Sequence, residues 1–318
     1  MYLRLMVLQR KALVLAAVLG IYSCDYNKTE SVDLRRTDYD SLVIPIIEKS
    51  FDELNADSIA VYIYSGASAE QQWSNMYRKN GNQLNQSVIP FNRKFEPASL
   101  IKPYWASILV ENDLVKLSDS IPYEAKSKFY DRIISDPFNI SFKYMTLAKA
   151  IKYSSNTSMA RFLFVNASQP CVENEVKKMI DPVLRSGITL PWAAMGYGVL
   201  IPVSDLMDFY YQVANRIETT KFSNGTLVQM DSLLSEVLMT GSAQNLYSQE
   251  IPINGMTATF QNSQSGPSEG RFIGYSPKDP SVVVMVRVFN SSPNFYGLLT
   301  ASPIVEQMLK VALSKVVD

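Results

Sequence analysis

The stretch FEPASLIKPY, residues 95–104, places Ser99 and Lys102 three positions apart, just behind Pro97. Residues at i and i+3 share one face of a helix, so the hydroxyl and the amine are predicted to lie side by side. Pro97 suits the first turn of a helix, whereas Pro103 is expected to kink it. A buried lysine can lose its proton and act as base for a serine nucleophile. Such a spacing also arises by chance, so coincidence stays the alternative at this point.

The composition limits the chemistry that the chain can perform. None of the 318 residues is a histidine, which excludes a Ser-His-Asp triad, a Cys-His pair and every histidine-bearing metal site. The 30 basic residues balance 30 acidic ones without a long run of either sign, so no nucleic-acid partner is expected. We predict no cofactor and no metal. At 47% hydrophobic the chain can bury a full core, and we predict one domain with insertions.

The first residues have the pattern of a signal peptide. Three basic residues precede an apolar run over 12–22: Arg4, Arg10 and Lys11. The run is shorter than the about 20 residues that a spanning helix needs. A bulky aliphatic residue three positions before Cys24, with Ser23 directly before it, resembles the lipobox of bacterial lipoproteins. An uncleaved anchor with an incidental cysteine is the alternative, and both place the domain outside the cytoplasm.

These patterns divide the chain into three parts. We predict a lipoprotein signal peptide over 1–23, a polar tether over 24–37 and a folded domain over 38–318. Lipidation of Cys24 would leave Cys171 as the only other cysteine, so no disulfide framework is expected. Cys171 is interpreted as a structural thiol.

The pattern of apolar residues predicts an α+β fold. A helix over 39–55, broken at Pro45, is followed by a strand over 57–66, and most of 99–239 has helical spacing. Strands return near the end of the chain, before a closing amphipathic helix over 301–317: GMTATFQ (255–261), GRFIGYSP (270–277) and SVVVMVRVF (281–289). Strands from both ends of the chain are expected to share one sheet.

Several blocks resemble the transpeptidase domain of penicillin-binding proteins, in particular the class B type. FEPASLIKP is similar to the family's E-P-G-S-T-x-K-P block, with matches at Glu96, Pro97, Ser99, Lys102 and Pro103. YSSNTSMARF (153–162) resembles the block that carries an S-x-N triplet, and the segment 190–215 contains the family's G-Y-G. TGSAQNLYSQEIPINGMTATFQ (240–261) resembles G-T-A-x-x-L…G-K-T-G-T-A-Q. The blocks keep the family's order from about residue 58 to the end.

The resemblance implies a five-stranded antiparallel sheet flanked by helices, an all-helical subdomain and an active site between them, the fold shared with β-lactamases. It implies that Ser99 is the acylated nucleophile and Lys102 its base. It also implies that Ser154 relays a proton and that Asn156 holds the substrate's carbonyl. A helix N-cap is the alternative role for Ser154 and Asn156, since both residue types favour that position.

The third motif departs from the family. Where the family has K-T-G, this chain has Met256, Thr257 and Ala258. Methionine has neither charge nor hydrogen-bond donor, and alanine adds a methyl group on the strand. The hydroxyls of Thr257 and Thr259 can still contact a substrate carboxylate. These four residues are therefore the predicted substrate-binding set.

Two classes of function follow from this sequence. One is a lipid-anchored, periplasm-facing envelope enzyme that acylates its serine with the D-Ala-D-Ala end of peptidoglycan stem peptides or with β-lactams. The other is a pseudoenzyme that binds stem peptides or envelope partners without turnover. The intact Ser99, Lys102, Ser154 and Asn156 favour the enzyme slightly.

Overall fold

The computed structural model describes residues 36–65, 71–130, 132–137, 141–179, 190–244, 251–261, 268–290 and 296–316. Residues 39–318 group into one compact unit. The predicted signal peptide over 1–23 lies outside the described residues, as does nearly all of the tether over 24–37, so the three-part division stays a prediction. Within the described ranges, no helix is long and apolar enough to cross a membrane.

The described residues form twelve strands, many of them short. In chain order they are β1 (Ser58–Ser65), β2 (Gln71–Asn80), β3 (Gln83–Val88), β4 (Lys94–Phe95), β5 (Ser120–Pro122), β6 (Lys126–Phe129), β7 (Arg132–Ser135), β8 (Tyr144–Thr146), β9 (Ile201–Pro202), β10 (Asn254–Gln261), β11 (Ser268–Ser276) and β12 (Asp279–Asn290).

Nine α-helices lie within the described residues. They are α1 (Arg36–Leu54), α2 (Lys102–Glu111), α3 (Leu147–Lys152), α4 (Asn156–Val165), α5 (Pro170–Met179), α6 (Leu190–Ala194), α7 (Val203–Asn215), α8 (Asn224–Met239) and α9 (Gly297–Val316). A 3₁₀ turn, Ala98–Ile101, directly precedes α2.

The main sheet is antiparallel and has the strand order β10-β11-β12-β1-β2-β3. Its register pairs Ser58 of β1 with Phe289 of β12, which confirms that strands from both ends of the chain share one sheet. The predicted fold class is confirmed, but the sheet has six strands instead of five. The segment QLNQSV of β3 is exposed at five of its six positions. It therefore lacks the apolar alternation by which a strand is recognised from sequence.

Helix α1 continues through Pro45, so the predicted break is wrong. Proline removes one hydrogen bond, but Val43, Ile46 and Ile47 on either side of it are buried in the core. Burial of an apolar face supplies most of the stability of a helix in a protein, so packing outweighs the lost bond here.

The middle of the chain contains short ladders as well as the expected helices. Three two-stranded sheets lie between α1 and α8: β4–β9, β5–β8 and β6–β7. The expected subdomain is therefore not all helical. Helix α9 packs on β11 and β12, while α7 contacts β12 and α8 contacts β10. Because β10 is an edge strand that also contacts the 3₁₀ turn, the predicted site lies where the sheet meets the helical part.

Candidate active site

Ser99 lies on the 3₁₀ turn, and the backbone N–H of Lys102 donates to the carbonyl of Ser99. A 3₁₀ helix has three residues per turn, so residues i and i+3 eclipse one another. This geometry places Ser99 and Lys102 on one face. Pro103 falls in the first turn of α2, where a missing N–H costs no helical bond, so the predicted kink is wrong.

The turn depends on a close backbone approach by the Gly-Tyr-Gly segment. Ala98 is buried and has a φ of 49°, the left-handed region, which costs a non-glycine residue about 1–2 kcal/mol. Its N–H donates to the carbonyl of Gly196 at 3.2 Å. A Cβ on Gly196 would lie 2.2 Å from the Ala98 oxygen, so only glycine fits at position 196. The N–H of Gly198 also donates to the Glu96 carboxylate.

The Lys102 amine is fully buried and joins the first motif, Ser99 and Lys102, to the second motif, Ser154 and Asn156. Its Nζ donates to the Ser154 carbonyl at 2.6 Å, to Ser154 Oγ at 3.1 Å and to Asn156 Oδ1 at 2.7 Å. Burial lowers the pKa of Lys102 to about 7, although the nearby Asp136 carboxylate acts to raise it. The buried amine therefore loses its proton far more readily than an exposed lysine does. Among the described residues, no hydrogen bond joins the Ser99 hydroxyl to this amine.

Helix α4 positions the second motif. Its N-cap is Ser155, whose Oγ accepts from the N–H of Ser158 at 3.1 Å, so neither Ser154 nor Asn156 takes the alternative role of N-cap. Ser154 has a φ of 53°, the left-handed region. This conformation directs its carbonyl and its side chain toward Lys102, as the two hydrogen bonds require.

Asp136 supports this motif and was missed by the sequence analysis. Its carboxylate accepts from the backbone N–H groups of Asn156 (2.6 Å) and Thr157 (2.9 Å), the first two residues of α4, and from Ser155 Oγ (2.6 Å) and the Tyr123 hydroxyl (3.1 Å). A negative charge is favourable at a helix N-terminus. In the sequence, Asp136 and Pro137 indicate only a turn.

A cavity of about 470 Å³, called the cleft below, contains most of the predicted site. It is lined by six residues of the predicted set: Ser99, Ser154, Asn156, Thr257, Ala258 and Thr259. Lys102 and Met256 are not among the lining residues, and both are fully buried. The structure therefore gathers the three motifs, with Met256 behind the wall of the cleft.

Seven further residues line the cleft and had no predicted role: Pro137, Tyr197, Ser242, Gln261, Tyr296, Leu298 and Leu299. Tyr197 belongs to the Gly-Tyr-Gly segment and Ser242 to the block 240–261. The resemblance to the transpeptidase blocks could therefore have indicated both residues. The Ser242 hydroxyl is buried without a hydrogen-bond partner among the described residues. It is thus available to a ligand in the cleft.

A buried ion cluster lies on β11 and β12. Glu269 accepts from Arg271 at 2.6 and 2.7 Å and from Arg287 at 2.5 and 3.2 Å. Burial alone would raise the pKa of Glu269, but the two guanidinium charges lower it to about 2. The carboxylate is therefore ionised, and the cluster carries one net positive charge.

Arg271 links this cluster to the walls of the cleft. Its Nη1 donates to the carbonyl of Glu96, three residues before Ser99. Its guanidinium lies over the ring of Phe260 at 4.8 Å, and Phe260 stacks on Tyr197 with ring centroids 5.3 Å apart. Arg271 thus connects the segment before the nucleophile, the end of β10 and the Tyr197 wall. Charged residues that alternate along a strand ordinarily indicate an exposed face, so no sequence pattern indicated this buried cluster.

The fold is the α+β scaffold of the penicillin-binding protein and β-lactamase class. The family model for the penicillin binding protein transpeptidase domain matches residues 63–179. Over these residues the chain resembles this transpeptidase domain, as its motifs predicted. No curated protein matches it.

Solved structures of similar fold include the transpeptidase domain of the FtsI4 D,D-transpeptidase from Legionella pneumophila, at 18% identity and a TM-score of 0.64 over 90% of this chain and 99% of that chain. The transpeptidase domain of penicillin-binding protein 3 from Burkholderia pseudomallei has 15% identity and a TM-score of 0.69 over 92% and 98%. A putative peptidoglycan glycosyltransferase from Atopobium parvulum has 15% identity and a TM-score of 0.69 over 87% and 77%. These similarities establish the shared fold.

Proposed function

We propose that this protein is a penicillin-binding, D,D-transpeptidase-like enzyme that forms an acyl-serine at Ser99. Its acyl donors would be β-lactams or the D-Ala-D-Ala ends of peptidoglycan stem peptides. The observation that carries the proposal is the buried Lys102 amine, with a pKa of about 7, bonded to Ser154 and Asn156 beside the cleft that holds Ser99.

The side chains can supply each proton transfer. Neutral Lys102 would take the Ser99 proton as Oγ attacks the acyl carbonyl. A C–O bond forms, the acyl C–N bond breaks and the proton passes to the leaving nitrogen. Ser154 Oγ lies 3.1 Å from the amine and lines the cleft, so it can relay that proton. Water or a second amine would then release the acyl group.

The edge strand can supply donors for the carbonyl oxygen. In an antiparallel pair, every second residue of an edge strand directs its N–H and C=O away from the ladder. Strand β10 is such an edge, and residues 257–259 on it line the cleft beside Ser99. Backbone N–H groups here and on the 3₁₀ turn would stabilise the negative charge that develops on the carbonyl.

The second candidate function is a pseudoenzyme that binds stem peptides or envelope partners without turnover. Met256 favours it, because this residue replaces the family's lysine and is fully buried, so no cation stands at that position. The missing hydrogen bond between Ser99 and Lys102 also favours it, although such bonds often tighten only when substrate binds.

We also propose that the domain, over 38–318, is tethered to a membrane by lipid on Cys24 and faces the periplasm. The lipobox-like sequence before Cys24 and the polar segment over 24–37 support this location. Stable anchoring takes two or more acyl chains, since one chain binds only marginally.

The experiment is a gel assay with a fluorescent penicillin, because a covalent adduct survives denaturation. Wild type should be labelled and Ser99→Ala should not. Ser118→Ala, an exposed serine outside the cleft, is the matched control and should keep the label. A folded wild type that takes no label at high probe concentration and long exposure would favour the pseudoenzyme.

A further inference from the structure

The cleft carries no charged side chain among the described residues that line it. Its polar groups are neutral hydroxyls and amides, and its outer part is apolar. Leu299, at the start of α9, is 62% exposed and contributes to this apolar rim. A carboxylate that enters such a site gives up its water for neutral hydrogen bonds only.

Two buried basic side chains that contact residues of the cleft wall already have other partners. Lys102 Nζ donates to three neutral acceptors on Ser154 and Asn156, behind the cleft wall. If it acts as the base, it is also uncharged when the reaction begins. Arg271 is buried, with its donors directed to Glu269 and to the Glu96 carbonyl. Neither side chain is free to pair with a ligand carboxylate.

A negative charge, that of the Asp136 carboxylate, also lies next to the cleft. Asp136 precedes Pro137, which lines the cleft, and it contacts the backbone of Asn156, another lining residue. A ligand carboxylate would be repelled by this charge, although the N-terminus of α4 offsets part of it. A neutral group meets no such repulsion and can bond to hydroxyls such as those of Thr257 and Ser242.

We propose that the cleft prefers acyl donors whose end beyond the scissile bond is uncharged, such as a D-amino-acid peptide with an amidated C-terminus, over donors that end in a carboxylate. This inference rests on the acyl-serine function proposed above and names its substrate class. The bonds made and broken are unchanged, since the charge lies on the leaving part and takes no part in the proton transfer.

The first arm of the test compares benzylpenicillin with its methyl ester on the full-length protein. Intact-protein mass spectrometry gives the second-order acylation rate for each, and each rate is divided by the rate at which hydroxide opens the same compound. We expect the ester to react faster, on the order of tenfold, since an uncompensated charge is costly to bury. If benzylpenicillin reacts as fast as its methyl ester, or faster, the inference is overturned.

A pair of rim variants tests whether charge is the cause. Leu299→Lys places a cation at an exposed position of the cleft and should shift the preference toward the acid at least threefold, at low salt. Leu299→Gln changes polarity without charge and should keep the wild-type preference. Equal behaviour of the two variants would overturn the electrostatic explanation.

The second arm does not need turnover. Calorimetry on Ser99→Ala compares a peptide that ends in D-Ala-D-Ala with the same peptide amidated at its C-terminus. Tighter binding of the amidated peptide supports the inference. Tighter or equal binding of the peptide with the free carboxylate overturns it, as does no binding of either peptide. If wild type forms no adduct with either β-lactam, the acyl-serine function fails and this arm alone decides the substrate class.

Discussion

Replacing Asp136 with asparagine removes one negative charge and keeps the size of the side chain. The carboxylate accepts two backbone N–H groups of α4 and the hydroxyls of Ser155 and Tyr123. An asparagine can accept through one oxygen only, and its NH₂ group would face the Ser155 hydroxyl, whose proton the carboxylate accepts in wild type. The substitution should therefore weaken the start of α4.

The magnitude follows from these contacts. A hydrogen bond to a charged group contributes about 1.5–3 kcal/mol and a neutral one about 0.5–1.5 kcal/mol. The two bonds from the backbone of α4 become neutral in the variant, which costs about 2 kcal/mol together. The lost interaction with the helix N-terminus adds about 0.3–1 kcal/mol. We expect Asp136→Asn to lower the free energy of unfolding by about 2–3 kcal/mol.

The same substitution should change the pH dependence of acylation. Asp136 raises the pKa of Lys102, so its removal lowers that pKa further. Acylation needs the neutral amine, and its rate should rise through about pH 7 in wild type. In Asp136→Asn this rise should move to lower pH, with a lower plateau because Ser154 and Asn156 are held less firmly.

The assay combines urea unfolding with penicillin labelling rates across pH. Glu124→Gln is the matched control, an exposed carboxylate bonded to the side chains of Arg161 and Ser127 but not to the backbone N–H groups at the start of α4, and it should cost much less stability than Asp136→Asn. A stability loss in Asp136→Asn no larger than that of the control would show that the carboxylate does not hold the start of α4. A shift of the pH profile to higher pH would contradict the predicted effect on the pKa of Lys102.

Three further predictions concern other parts of the chain. Met256→Lys with Ala258→Gly should raise the rate of acylation by penicillin about ten- to 150-fold, as a charge-assisted bond contributes about 1.5–3 kcal/mol; a folded double mutant that is no faster would favour the pseudoenzyme. Cys24→Ala should release the protein from membranes in fractionation, whereas unchanged retention with an uncleaved N-terminus would contradict lipidation. Arg271→Met should cost about 3–5 kcal/mol in urea unfolding and leave Glu269 with one partner. Because the pKa of Glu269 is about 2, below its usual 4.5, its contribution to wild-type stability should persist above about pH 4.5 and disappear as pH falls toward 2. In Arg271→Met, Glu269 should lose its remaining contribution to stability at a higher pH than in wild type. The same midpoint of acid unfolding in both proteins would contradict this.

The sequence predicted those parts of the site that depend on local spacing. Ser99 and Lys102 lie within one turn, and Ser154 and Asn156 lie at the start of a helix. Short sequence motifs were therefore enough to predict these residues. The exact backbone was harder to anticipate. A 3₁₀ turn before α2 moves Pro103 from the interior of a helix to its first turn, and only the structure distinguishes these two cases.

Residues that act across long separations gave no local signal. Asp136 lies 20 residues before Asn156 in the sequence, and Arg271 lies 175 residues from Glu96. Their contacts arise from chain folding, which no periodicity encodes. Strand β3 escaped prediction for a different reason, since an exposed edge strand needs no apolar face. The buried position of Met256 likewise follows from packing.

In the proposed mechanism, Ser99 becomes acylated with Lys102 as its base. The most direct measurement is peptide mapping by mass spectrometry after incubation with benzylpenicillin, for wild type and Lys102→Ala. We predict one penicilloyl adduct, on Ser99, and a 100- to 10,000-fold slower appearance of that adduct in the variant, the typical effect of removing a general base. An adduct on another residue, or an equal rate in both proteins, would overturn this mechanism.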